Sequence, residues 1–121
     1  MTSTVKIRFV TGHTTVAATL DDNGTTKDFA SLLPLELELK DLFAREKSGE
    51  LPRALFEDGQ RTHTYAVGDI VYWPPGPHVA VFYRQDGRTV ASGMIRLGVV
   101  DAGVDAFAPS STMRATIELA R

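Results

Sequence analysis

The chain contains no cysteine. Disulfides, thiolate nucleophiles and cysteine-held zinc are therefore excluded. It also lacks an excess of positive charge: 13 Lys and Arg stand against 15 Asp and Glu, for a net charge of −2. The basic face that nucleic-acid binders present is absent from this balance, so a nucleic-acid partner is not expected. Apolar runs end after about five residues, against the roughly 20 that a membrane-spanning helix needs, so no membrane partner is expected either. Met1 to Thr4 is polar and shows no basic segment leading into an apolar one, as a secretory leader would. The expectation is a cytoplasmic protein.

Three further patterns are missing. His13, His63 and His78 are scattered, without the spacing that puts two imidazoles on one face, so no metal is expected. No phosphate loop, dinucleotide fingerprint or Ser/His/Asp order occurs, and no cofactor is expected. Glu36 and Glu38 share a face, but a solvated strand face explains them better than a carboxylate pair does.

What is present is a β-rich chain of one domain, 1–121, since domains commonly run to about 100–150 residues. Apolar residues make up 43% and charged residues 23%, enough for one core of ordinary size. Half of the aromatics (Tyr65, Tyr72, Trp73, Phe82, Tyr83) fall on or near one stretch, residues 68–83. Two β-forming runs there, Asp69 to Trp73 and His78 to Tyr83, flank Pro74-Pro75-Gly76-Pro77. Prolines lack amide donors, so neither helix nor ladder continues through them, and the chain folds back as a hairpin.

Elsewhere, Thr4 to Thr11 and Thr14 to Leu20 read as a hairpin around Gly12-His13. Thr25 to Asp28 has the form of a capping box with Thr25 as the cap. Phe29, Leu32 and Leu33 give a short helix one apolar stripe, and Pro34 stops it. Leu35, Leu37 and Leu39 alternate with Glu36, Glu38 and Lys40, as in a half-buried strand. Residues 41–47 fit either a helical turn or an extended segment. Ser48-Gly49-Glu50 reads as loop and Leu51-Pro52 as extended. Asp58-Gly59 and Asp86-Gly87 mark turns. Thr89 to Leu97 reads as a strand interrupted by Gly93. Asp101 to Phe107 suggests one helical turn, and Thr112 to Ala120 a closing strand. About eight short strands with regular turn signals suit an all-β barrel or sandwich. Closure would remove aggregation-prone edges.

Taken in order, residues 18–34, Leu51-Pro52, 68–77, 79–83, 97–104 and 115–120 resemble the cyclophilin-like domain family, in particular its small prokaryotic members of unassigned function. The resemblance covers nearly the whole chain. It implies a mainly β fold: a closed eight-stranded barrel with one or two short helices. Cyclophilins are peptidyl-prolyl isomerases. They rotate an X-Pro amide over a barrier of about 18–20 kcal/mol, using an apolar proline pocket and an arginine donor. By this resemblance Arg45, which follows Phe43-Ala44, corresponds to the arginine, and Phe82 to the phenylalanine at the pocket floor. Other family positions differ. Glu46-Lys47-Ser48-Gly49 supplies no Phe-x-x-Gln, Ala80 stands in place of a glutamine, and Arg84 and Thr89 in place of a tryptophan and a histidine.

The implied groove would be lined by segment 43–53 and hairpin 72–84. Its ligand-binding candidates are Glu46, Pro52, Tyr72, Trp73, Pro75, His78 and Ala80. Trp73 and Phe82 are either groove wall or packing. Three functions follow: a barrel that binds a small molecule or proline-containing peptide with most of the isomerase set missing, an isomerase using Arg45 and Phe82, or an assembly role with an oligomer formed through the Pro-turn face.

Overall fold

The computed structural model describes residues 5–120. The expected strand start at Thr4 and the reading of Met1 to Thr4 lie outside the described residues. Among the described residues, no helix is long and apolar enough to cross a membrane.

Among the described residues, nine strands alternate with connecting segments: β1 (Val5–Thr11), β2 (Thr14–Leu20), β3 (Leu35–Leu42), β4 (Glu46–Glu50), β5 (Arg61–Thr62), β6 (Asp69–Trp73), β7 (His78–Phe82), β8 (Met94–Val100) and β9 (Met113–Leu119). One helix, α1 (Gly24–Ser31), follows β2, and a 3₁₀ turn (Val104–Phe107) follows β8. Eight strands form an antiparallel ring in the order β2-β1-β9-β3-β4-β7-β6-β8, and β2 pairs with β8 to close it. The two-residue β5 pairs with Met94 and Ile95 at the start of β8. The mainly β, closed eight-stranded barrel expected from the sequence is thus the observed fold.

Both expected hairpins form. β1 and β2 pair from Val5↔Leu20 to Thr11↔Thr14. β6 and β7 pair from Ile70↔Val81 to Trp73↔His78 across the proline turn. Alternation fills the barrel: Ile7 and Phe9 of β1, Leu37 and Leu39 of β3, Ile70 and Tyr72 of β6, Val79 and Val81 of β7 and Ile117 of β9 share one apolar interior. Phe107 of the 3₁₀ turn meets Phe9 edge-on at 5.3 Å, and Phe29 of α1 is fully buried in the same core.

Four local expectations are corrected. The cap of α1 is Asn23, whose side chain accepts from the Thr26 amide at 2.8 Å. Thr25 lies inside the helix and its hydroxyl instead accepts from the Asp58 amide. The Asp28 carboxylate turns to Arg53 and the Phe56 amide, which hold its pKa well below the usual carboxylate range. Ser48-Gly49-Glu50 is strand, paired on both sides with β3 and β7. The strand expected over 89–97 begins at Met94 and continues to Val100. Gly98 belongs to it because the seam with β2 is tight there: a Cβ at this position would lie 2.3 Å from the Thr19 carbonyl oxygen.

β4 holds the most unusual interior residue. Its inward positions are Lys47 and Gly49. Gly49 leaves room for Leu39, whose Cδ2 would stand 2.8 Å from an added Cβ. Lys47 is 0% exposed. Its ammonium donates to Asp41 Oδ1 at 2.9 Å and to the Pro109 carbonyl, and lies 5.1 Å from the centre of the Tyr83 ring. The Tyr83 hydroxyl donates to the same carboxylate oxygen. Each polar group in this cluster is matched, as a buried charge requires.

Candidate functional site

The outward residues of β6 and β7 build a second apolar layer on the outside of the barrel. Inward residues alternate with outward ones along each strand, so β6 sends Val71 and Trp73 outward and β7 sends Ala80 and Phe82. With Tyr65, Met94 and Val90 they form a small cluster separate from the barrel interior. Strands buried on both faces read as continuous apolar runs. This is why 69–73 and 78–82 dominate the sequence.

Above this layer lies a groove of about 290 Å³. Leu42 and Phe43 at the tip of the β3–β4 hairpin line it, as do Val71, Val90 and Met94. Of the sequence candidates, Arg45, Glu46, Trp73, His78 and Ala80 also line it. Trp73 and His78 are stacked, with ring centres 5.8 Å apart, and the Trp73 indole donates to Ser92 Oγ at 2.7 Å. Phe82 lies below, fully buried and stacked on Tyr65 at 3.8 Å. The other three candidates are placed elsewhere. Tyr72 points into the barrel, where its hydroxyl accepts from the Leu55 amide. Pro52 and Pro75 are exposed and are not among the lining residues.

Arg45 anchors one end of the groove. Its guanidinium carbon lies 5.1 Å from the ring centre of Phe43, 5.4 Å from that of Tyr65 and 5.5 Å from that of Phe82. Aromatic faces attract a guanidinium at such distances. Two carboxylates draw on its donors. Nε donates to Glu46 Oε2 at 2.9 Å, and Nη1 is 3.5 Å from Asp86 Oδ2. Asp86 is itself held by the Tyr65 hydroxyl at 2.7 Å. That bond, the Arg88 amide and the Arg45 charge depress its pKa. Glu46 goes the other way. Burial raises its pKa, the nearby Asp86 and Asp41 charges add to the rise, and Arg45 only partly offsets them. Arg45 here faces two carboxylates, Glu46 and Asp86.

The β3–β4 turn that presents Arg45 is unusual. The Arg45 amide donates to the Leu42 carbonyl at 3.1 Å, closing a β-turn whose central residues are Phe43 and Ala44. Phe43 and Ala44 both adopt left-handed backbone, at φ 56° and 51°. The primed turn matches the twist of a hairpin, but its usual residues are Asn-Gly. Neither residue type at 43–44 signals such a turn, which is why the 41–47 segment reads ambiguously.

Among the described residues, no group of three or more His, Asp or Glu is placed to hold a metal. Sequence reasoning missed Leu42, Val71, Val90 and Met94 as groove residues, and included Phe43 only as part of segment 43–53. The signal for Val71 was available: with Trp73 on the groove face, period-2 alternation assigns Val71 to the same face and Tyr72 to the interior.

A model described as the Cyclophilin-like family matches residues 9–118. No curated protein matches the chain. In three dimensions the chain is similar to the solution structure of a hypothetical protein from Archaeoglobus fulgidus. The TM-score is 0.76 over 97% of this chain and 95% of the other, at 17% sequence identity. At that identity the likeness concerns the fold.

Proposed function

The chain belongs to the cyclophilin-like family, and from that premise we propose that it binds a small uncharged molecule or a proline-containing peptide in the outer groove, without catalysing isomerisation. The observation that carries this reading is the state of Arg45. Its Nε and Nη2 are paired with Glu46, its Nη1 stands 3.5 Å from Asp86, and Phe43, Tyr65 and Phe82 lie within 5.5 Å of the guanidinium. An isomerase needs a donor aimed at the prolyl nitrogen while the amide twists, and an arginine held this way serves as part of the groove wall. The lining supports the same reading. It is mostly apolar, and about 290 Å³ lies at the lower end of ligand pockets, of roughly 300–1,000 Å³. That suits one ring or one side chain.

A second reading, proline isomerisation, is favoured by one observation: Arg45 and Phe82 come together at the same end of the groove. A protease-coupled proline isomerisation assay decides between the two, with Arg45→Ala alongside. Binding without catalysis predicts the uncatalysed rate for both proteins. Catalysis that is lost in Arg45→Ala would overturn the first reading and establish the second.

A further inference from the structure

We propose that Phe43 is the ligand-contacting lip of the groove, and that the β3–β4 turn keeps its left-handed backbone to hold the Phe43 ring there. This inference rests on the binding reading above. It starts from the conformation. Left-handed backbone is disfavoured for residues with a Cβ, and a bulky residue there is an outlier. Two in succession, Phe43 and Ala44, close a hairpin that Asn-Gly would close without that penalty. Backbone strain of this kind gathers at functional sites.

The burial of Phe43 does not explain the choice. The residue is 76% exposed, the highest value among the large hydrophobic residues with marked exposure. Its neighbour Leu42 is also partly exposed. Yet both line the groove, and the Phe43 ring sits 5.1 Å from the Arg45 guanidinium. The turn thus sets an apolar ring at the groove mouth and covers one side of the buried Arg45–Glu46 pair. A ligand entering between this lip and the Val71–Ala80 floor would place its own ring against Phe43. The chemistry that fits is an uncharged ring, as in a proline within a peptide whose ends are blocked.

The test uses N-acetyl-Ala-Pro-amide as probe and follows backbone amide shifts by NMR in the wild type, F43N, A44G and A80W. F43N removes the ring but supplies a residue suited to the turn. A44G keeps the ring and relaxes the turn. A80W fills the groove floor. The expected result is a dissociation constant weakened about five- to tenfold in F43N, with a thermal midpoint equal to or above wild type, near-wild-type binding in A44G, and none in A80W. Binding by F43N as tight as wild type, with A80W still blocked, would overturn the role of Phe43 and leave the groove reading standing. Equal losses in F43N and A44G would assign the effect to the turn and not to the ring, and would also overturn the proposal. No shift at Val71, Ala80 or Met94 in the wild type would remove the groove reading, and the lip with it.

Discussion

Replacing Lys47 by methionine is expected to destabilise the barrel severely, although the change makes the interior more apolar. Lys47 is fully buried, and its ammonium is shared by Asp41 and the Pro109 carbonyl. Methionine can follow the path of the lysine stem but leaves the Asp41 carboxylate without its cation and the carbonyl without its donor. Breaking a buried pair from one side costs about 3–5 kcal/mol. Asp41 keeps the Tyr83 hydroxyl and the Ala44 amide, so the low end, about 3 kcal/mol, applies. With an unfolding entropy of about 2.1 cal/mol/K per residue, a chain of this length should lose about 12 °C in thermal midpoint.

Asp41→Asn in the Lys47→Met background should restore part of that loss, because the uncompensated charge is then gone. The coupling between the two sites should be about 2 kcal/mol. Urea denaturation followed by circular dichroism measures all four proteins. Lys47→Met within about 1 kcal/mol of wild type would refute the reasoning.

The pH dependence offers a second check on the same cluster. Burial and the bond to Asp41 push the Tyr83 phenol up to about 12. A raised folded pKa gives stability that is complete below the ordinary phenol value and is lost as pH rises through about 12. Burial alone would raise Asp41, but the Tyr83 and Lys47 bonds outweigh it and lower its pKa. That contribution is present above the ordinary carboxylate value and fades as pH falls through the lowered one. The gap between wild type and Lys47→Met should therefore narrow in acid.

Two other substitutions test the fold. Asn23→Ala removes the cap of α1 and should cost about 1 kcal/mol in chemical denaturation, whereas Thr25→Ala, at the position the sequence pattern suggests, should leave the cap intact. Gly98→Ala forces a methyl against the Thr19 carbonyl at the closing seam and should cost about 3 kcal/mol or more, with hydrogen exchange accelerating first at Thr19 and Leu20.

How much of this was legible depended on how many faces of each strand meet water. β1, β3 and β9 have one solvated face, so their alternation is clear, as in Leu35, Leu37 and Leu39. β6 and β7 are covered on both faces and read as apolar runs. β4 is covered on both faces too, yet Glu46-Lys47-Ser48-Gly49-Glu50 contains no aliphatic or aromatic residue and resembles loop. Its burial is made tolerable by groups far away in sequence: Pro109 and Tyr83 for Lys47, and Asp86 and Tyr65 around the Arg45–Glu46 pair. Local composition carries no trace of such compensation. Asn23 was overlooked for a related reason, since Thr25 offered an equally good local pattern and its hydroxyl was claimed by Asp58. At the groove, five candidates converged because they flank the hairpin or adjoin Arg45. Phe43 was not singled out within segment 43–53 because a left-handed Phe-Ala turn contradicts turn chemistry.

The place of β9 between β1 and β3 has a consequence for synthesis. A chain made from its N-terminus can form the β1–β2 hairpin early, but one edge of β1 then waits for partners about 110 residues later, such as Ile117 opposite Phe9. Until Met113–Leu119 leaves the ribosome, β1 and β3 each expose an unpaired edge, the condition under which nascent β-proteins aggregate. The ring therefore closes last and from its two distant ends, as expected of a slow, non-local folder.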